Sequence, residues 1–246
     1  NVNLVYTYLP TSADKTYFLP PTLTNGNVHG IIVLNVYNER LLRLLAETQI
    51  PKVFLDTSSL VAPDELNGEL LLMESRTSVR RITSHLLEQG RTLPGFIGDI
   101  GYAQSNRERY EGFCQALTDA GKKVDSSLCL TTPLGIDTYR EEIDTFLSSL
   151  SRMPDAFVCA SDYVACILMQ LLEKRGLRVP EDVAVSGFDN NTEDLLAEHL
   201  TTVQVFNEEL GARLALQILY RIKYPNTPHE ITYLGTNVLY RDSTGD

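Results

Sequence analysis

No stretch of the 246 residues approaches the roughly 18 uninterrupted apolar residues of a membrane-crossing helix. The opening Asn1-Val-Asn-Leu-Val-Tyr-Thr-Tyr8 also lacks the charged-then-apolar order of a secretory signal. A chain that neither spans a membrane nor is visibly exported is therefore expected, and the thiols below suit the cytoplasm. Bases are scarce: 21 Lys and Arg face 32 Asp and Glu, a net charge of -11. Such a surface repels phosphate backbones, so this segment should not bind nucleic acid by itself. Cys114, Cys129, Cys159 and Cys166 show no CxxC spacing, and three of the four lie in apolar periodic segments. That pattern suits buried, reduced thiols better than a disulfide framework or a metal site. Catalytic motifs are missing too: there is no GxSxG, P-loop, HExxH or GxGxxG, and His29, His85, His199 and His229 are scattered with no nucleophile marked beside them. A non-enzyme without cofactor or metal is expected. Low-complexity tracts, solenoid-length repeats and Gly/Ser linkers are likewise absent.

What is present is alternation. Short apolar runs suited to buried strands occur at 2–6, 30–34, 52–55, 69–73, 95–98, 127–130, 156–160, 183–188, 202–205 and 230–234. Between them, 38–47, 75–89, 105–120, 137–150, 162–175 and 207–223 carry apolar residues at spacings of three and four. Strand alternating with helix predicts a doubly wound α/β architecture with parallel sheets. The clearest helix should start at Ser105, where Glu108 completes a capping box, and stop at Gly121. With 43% hydrophobic and 22% charged residues, the chain can build a sizeable core.

Polar residues cluster where these strands end: Asp56, Asp99, Ser161 with Asp162, and Asp189. In a parallel sheet the strand ends share one edge, and that edge is where open α/β sheets bind ligands. Carboxylates there accept hydrogen bonds from ligand hydroxyls, and an arginine such as Arg109 donates a planar fork. The set suits a sugar or another small polyhydroxylated or acidic metabolite. The same residue types also form turns and caps, and helix capping alone accounts for Asp162.

The stretch from Asp155-Ala-Phe-Val-Cys-Ala-Ser-Asp162, through Arg175-Gly-Leu-Arg-Val-Pro-Glu-Asp-Val183, to Gly187-Phe-Asp189 resembles the effector-binding domain of LacI/GalR-family bacterial transcriptional regulators. The resemblance implies a periplasmic-binding-protein-like fold of two lobes joined by three crossovers. The crossovers would fall near Glu74, at 205–207 and at 224–230. The N-terminal lobe would be 1–74 plus 207–223, and the C-terminal lobe 75–205 plus 230–240. Relatives carry a further strand, loop and helix ahead of the segment resembling 1–9, and a helix-turn-helix headpiece before that. Neither is in this chain, so it is expected to be part of a longer protein.

Residue by residue, the resemblance makes Asp189, the aspartate of "GFD", and Arg109, in R-x-x-G-F before Gly112 and Phe113, contacts to the ligand. Asp56 occupies a less constant polar contact position, and Ser161 stands where many relatives have a ligand-binding Asn. Val205 replaces a polar contact, and the loop 131–137 lacks the aromatic that commonly stacks on a sugar, leaving Tyr102 or Tyr139 as substitutes. The implied function is a ligand-sensing domain: a small effector, a sugar above all, binds between lobes and modulates DNA binding by the headpiece. The implied partners are the effector, a second copy of the chain, and DNA through the headpiece alone. Leu41, Leu42, Leu44 and Leu45 offer an apolar helix face for the homodimer, although leucines at that spacing are more often core. Some relatives pair with a phosphorylated carrier protein, and no residue here marks that surface. The alternative is a soluble solute-binding protein of a sugar transport system, which shares the architecture.

Overall fold

The computed structural model describes residues 3–135, 137–191 and 198–246. It divides into two compact units. The first contains 1–72, 102–104 and 207–234, and the second 73–101, 105–206 and 235–246.

In the first unit, strands β1 (Ile31–Leu34), β2 (Lys52–Leu55) and β3 (Glu69–Met73) pair in parallel register, and β9 (Ile231–Leu234) lies beside β3. Helix α1 (Glu39–Glu47) starts where the Asn38 side chain accepts the Leu41 N–H at 3.1 Å. This cap satisfies one of the N–H groups left over at a helix start. Leu41, Leu42 and Leu45 are then fully buried, and Leu42 and Leu45 join Phe54, Leu66 and Leu70 in the core. The expected dimer face on this helix is therefore mostly core. Helix α6 (Asn207–Lys223) packs on β1 and β2 through Leu210, Leu214 and Ile218.

The second unit holds a parallel sheet in the order β5 (Cys129–Leu130), β4 (Pro94–Ile97), β6 (Ala156–Cys159), β7 (Ala184–Ser186). Alternate residues of its strands enter different cores: Phe157 and Cys159 pack with helices α4 (Tyr139–Ser149) and α5 (Asp162–Lys174), while Ala156 and Val158 pack with α2 (Arg76–Glu88) and α3 (Gln104–Asp119). Both faces are covered, which is why these strands read as continuous apolar runs. The ladder is extended by β8 (Thr202–Gln204), joined to the end of β7 by Gly187 N–H to Thr201 O at 2.8 Å and Asp189 N–H to Val203 O at 3.0 Å. Strand β10 (Asn237–Leu239) pairs antiparallel with β8. Gly112, in the middle of α3, has no room for a side chain: a Cβ there would collide with the Arg76 carbonyl.

Four expectations need correction. Residues 3–6 form no strand, and Leu4, Val5 and Tyr6 are 74–83% exposed, because no neighbouring backbone pairs with them. Residues 230–234, assigned from sequence to the C-terminal lobe, belong with the first unit, since Leu70 N–H donates to Glu230 O across β3 and β9. The chain accordingly changes units at 234–235 rather than at 224–230. Helix α3 begins at Gln104, one residue before the expected start, so that Ser105 lies buried in its first turn, while Gly121 follows its end with φ +68° as expected.

Candidate functional site

Strands β4, β6 and β7 run parallel, so the residues that follow them lie on one edge of the second unit. There the chain places Asp99 after β4, Ser161 and Asp162 after β6, and Phe188 and Asp189 after β7. Arg109 arrives from the second turn of α3, nearly buried at 4% exposure. Its guanidinium lies 3.6 Å from the centroid of the Phe188 ring, a cation-on-ring contact. One Nη donates to the Ala160 carbonyl, and the other stands 3.6 Å from Asp189 Oδ1. That last distance is an ion pair rather than a hydrogen bond. Nε has no hydrogen-bond partner.

Asp189 is held in an unusual backbone conformation, φ +111°, followed by Asn190 at +52°. Non-glycine residues rarely adopt this region and need neighbours to hold them there. The side chain keeps 42% of its surface exposed. Burial pushes its carboxyl up from the ordinary value, and the Arg109 charge opposes that shift. The pair therefore presents a carboxylate with open acceptor positions beside an arginine with a donor to spare. A ligand with adjacent hydroxyls fits both demands.

The other candidates fare differently. Ser161 caps α5, its hydroxyl accepting the Val164 N–H at 3.3 Å. Asp162 is not the cap: it is the first helical residue, 2% exposed, and its carboxylate accepts the Thr202 hydroxyl at 2.6 Å and the Asn191 N–H at 2.7 Å. Burial, chiefly, raises its pKa to about 6. Asp99 serves a turn, accepting the Gly101 N–H at 2.8 Å. Asp56 lies in the first unit, after β2, with φ +61°. It is buried, and Oδ1 accepts the Thr57 N–H at 2.7 Å. Of the substitute aromatics, Tyr102 packs on Tyr37, centroids 4.4 Å apart, in the first unit, and Tyr139 makes an edge contact with Tyr163 at 5.7 Å in the second. The structure thus brings Arg109, Asp189 and Ser161 to one edge of one sheet, and it adds Phe188, Thr202 and Asp162 to their surroundings. Among the described residues no cluster of His, Cys, Asp and Glu could hold a metal ion, and no helix is long and apolar enough to cross a membrane.

A two-unit α/β chain with a polar edge at the ends of its parallel strands has the architecture of a periplasmic-binding-protein-like domain. The model of the periplasmic binding protein-like domain family matches residues 83–244, and the chain belongs to that family. Its relatives include the HTH-type transcriptional repressor PurR of Glaesserella parasuis, 26% identical over 87% of this chain and 62% of the relative. Another is the HTH-type transcriptional regulator DegA of Bacillus subtilis, 30% identical over 68% of this chain and 48% of the relative. Among solved structures, a transcriptional regulator CelR–cellobiose complex superposes with a TM-score of 0.80 at 27% identity, covering 90% of this chain and 68% of that one. A LacI-family regulator from Enterococcus faecium with bound ribose shares the fold, with a TM-score of 0.72 at 22% identity, over 90% of this chain and 82% of that one. The chain spans about three fifths of the length of the PurR relative.

Proposed function

We propose that this chain is the ligand-sensing part of a LacI/GalR-type bacterial transcriptional regulator. It binds a small polyhydroxylated effector, a sugar above all, and acts on DNA through a helix-turn-helix segment outside this sequence. The observation that carries the reading is the unsaturated Arg109–Asp189 pair at the carboxyl edge of a parallel sheet, in a domain whose relatives are transcriptional regulators. Asp189 is the acceptor for ligand hydroxyls and Arg109 the donor. Ser161 contributes a hydroxyl that already serves the helix. Cellobiose and ribose in similar structures support a sugar, and the relatives favour regulation over transport and over catalysis. The regulator works in the cytoplasm, where its DNA is.

It acts as a homodimer, and the exposed apolar side chains Leu216, Leu219 and Tyr220 on α6 provide surface for the contact. Ligand binding favours one arrangement over another by no more than its difference in affinity for the two. The test is a thermal-shift screen of mono- and disaccharides, nucleobases and sugar phosphates on the parent, Asp189→Ala and Arg109→Ala. Stabilisation of the parent that is lost in both variants is expected. Equal stabilisation of all three overturns the assignment.

A further inference from the structure

The turn that presents Asp189 is bracketed by one buried side chain on another element. Asp162 N–H donates to Phe188 O at 2.8 Å, Asp162 Oδ2 accepts the Asn191 N–H at 2.7 Å, and Oδ1 accepts the Thr202 hydroxyl at 2.6 Å. The same Thr202 oxygen accepts the Asn190 N–H at 3.2 Å. The backbone on both sides of Asp189 is thus fastened, directly or through Thr202, to Asp162. Gly187 fits the same arrangement: a Cβ there would collide with Asp162 Oδ1. Helix capping does not account for these contacts, because Ser161 already caps the helix.

We propose that Asp162 is a positioning residue for the ligand-binding carboxylate: its ionised side chain holds the 188–191 turn in the left-handed conformation that presents Asp189. The proposal deepens the ligand-site reading and rests on it for its functional meaning, though the positioning itself can be read without ligand. An ionised carboxylate offers acceptors on both oxygens, which two donors from the turn and β8 need. Asparagine offers an acceptor on one side alone, so one of the two donors is left facing an NH₂ group. The charged and titratable groups around Asp162 are Asp189 on the turn, which opposes its ionisation, Arg241 from the C-terminal segment, which favours it, and Cys159 on β6; Arg109 faces Asp189 from α3.

The experiment follows backbone amide signals by NMR in the whole chain, for the parent, Asp162→Asn and Thr202→Val. In the parent, the Asn191 amide should shift with a midpoint near 6, the value expected for Asp162. In Asp162→Asn that titration should vanish, and the amide signals of Asp189 and Asn190 should move from their parental positions. Thr202→Val removes one donor, keeps a similar volume, and should move Asn190 with the titration of Asn191 retained. A parallel calorimetric arm uses cellobiose and D-ribose as probes. A probe that binds the parent should bind Asp162→Asn roughly tenfold more weakly, as for one lost charge-assisted hydrogen bond. An Asn191 amide that stays fixed across the parent's titration, or an Asp162→Asn turn with parental shifts, overturns the proposal. Failure of both probes to bind the parent counts against the sugar reading, while the amide shifts still decide whether Asp162 positions the turn.

Discussion

Each unit holds a buried arginine paired with a carboxylate, and the two pairs differ in how fully the arginine is occupied. In the first unit, Arg221 and Glu69 are both 4% exposed. Arg221 Nε donates to Glu69 Oε1 at 2.7 Å, Nη1 donates to the carbonyls of Pro225 and Thr227, and Nη2 to that of Pro228. Glu69 Oε2 takes the Glu230 N–H at 2.6 Å. In the second unit, Arg109 has one carbonyl, one aromatic face and a carboxylate at 3.6 Å, with Nε unpartnered and Asp189 half open to solvent. A saturated pair locks a loop onto a strand. An unsaturated one keeps hydrogen-bonding capacity that costs stability unless something arrives to use it.

Substitutions should separate the two roles. The largest effect on folding belongs to Arg221→Met, which strands Glu69 as a buried, unpaired charge and should cost roughly 3–5 kcal/mol in urea denaturation. Sugar affinity of the folded fraction should be unchanged; a stability loss well under 1 kcal/mol would break the contrast between the pairs. Arg109→Ala and Asp189→Ala should act the other way. Each removes about 1.5–3 kcal/mol of binding, one to two decades in affinity, with a smaller change in the denaturation midpoint.

A pH series sharpens the same contrast. The folded-state pKa of Asp162, about 6, lies above its ordinary 3.8, so its contribution to stability is fully present below 3.8 and is lost as pH rises through 6. Relative to Asp162→Asn, the parent should lose stability between about pH 4 and about pH 7, and a parent-minus-variant difference that is flat over that window would contradict the burial of this group. The smallest effect is expected at Arg178→Ala, which breaks the exposed i,i+4 pair with Asp182 and should leave the midpoint within measurement error.

Much of the fold is readable from residues alone. The strands β4, β6 and β7 are apolar on both faces, so they stand out as runs, and the helices between them carry spacings of three and four. Edge elements are harder to read. Strand β10 is three residues with a single apolar pair, and it exists because β8 offers it a ladder. The apolar Leu4-Val-Tyr6 has strand-like composition and no ladder, and it forms none. The strand end and the resemblance carried by R-x-x-G-F single out Asp189 and Arg109, and the fold sets the two side chains 3.6 Å apart. Asp162 could not be read correctly, because the contact that defines it, Thr202, is 40 residues away, while the cap position next to it is a local signal. Phe188 is visible as a strand residue, yet its service as a platform under Arg109 depends on packing between α3 and β7.

The central claim is that the unsaturated pair is a ligand site. Its most direct test is calorimetric titration of the sugar that most stabilises the parent into the parent, Asp189→Ala and Arg221→Met at one pH and salt concentration. The account predicts that Asp189→Ala weakens binding at least about tenfold while Arg221→Met, where folded, binds as the parent does. Equal affinity of the parent and Asp189→Ala, or a loss confined to Arg221→Met, would contradict it.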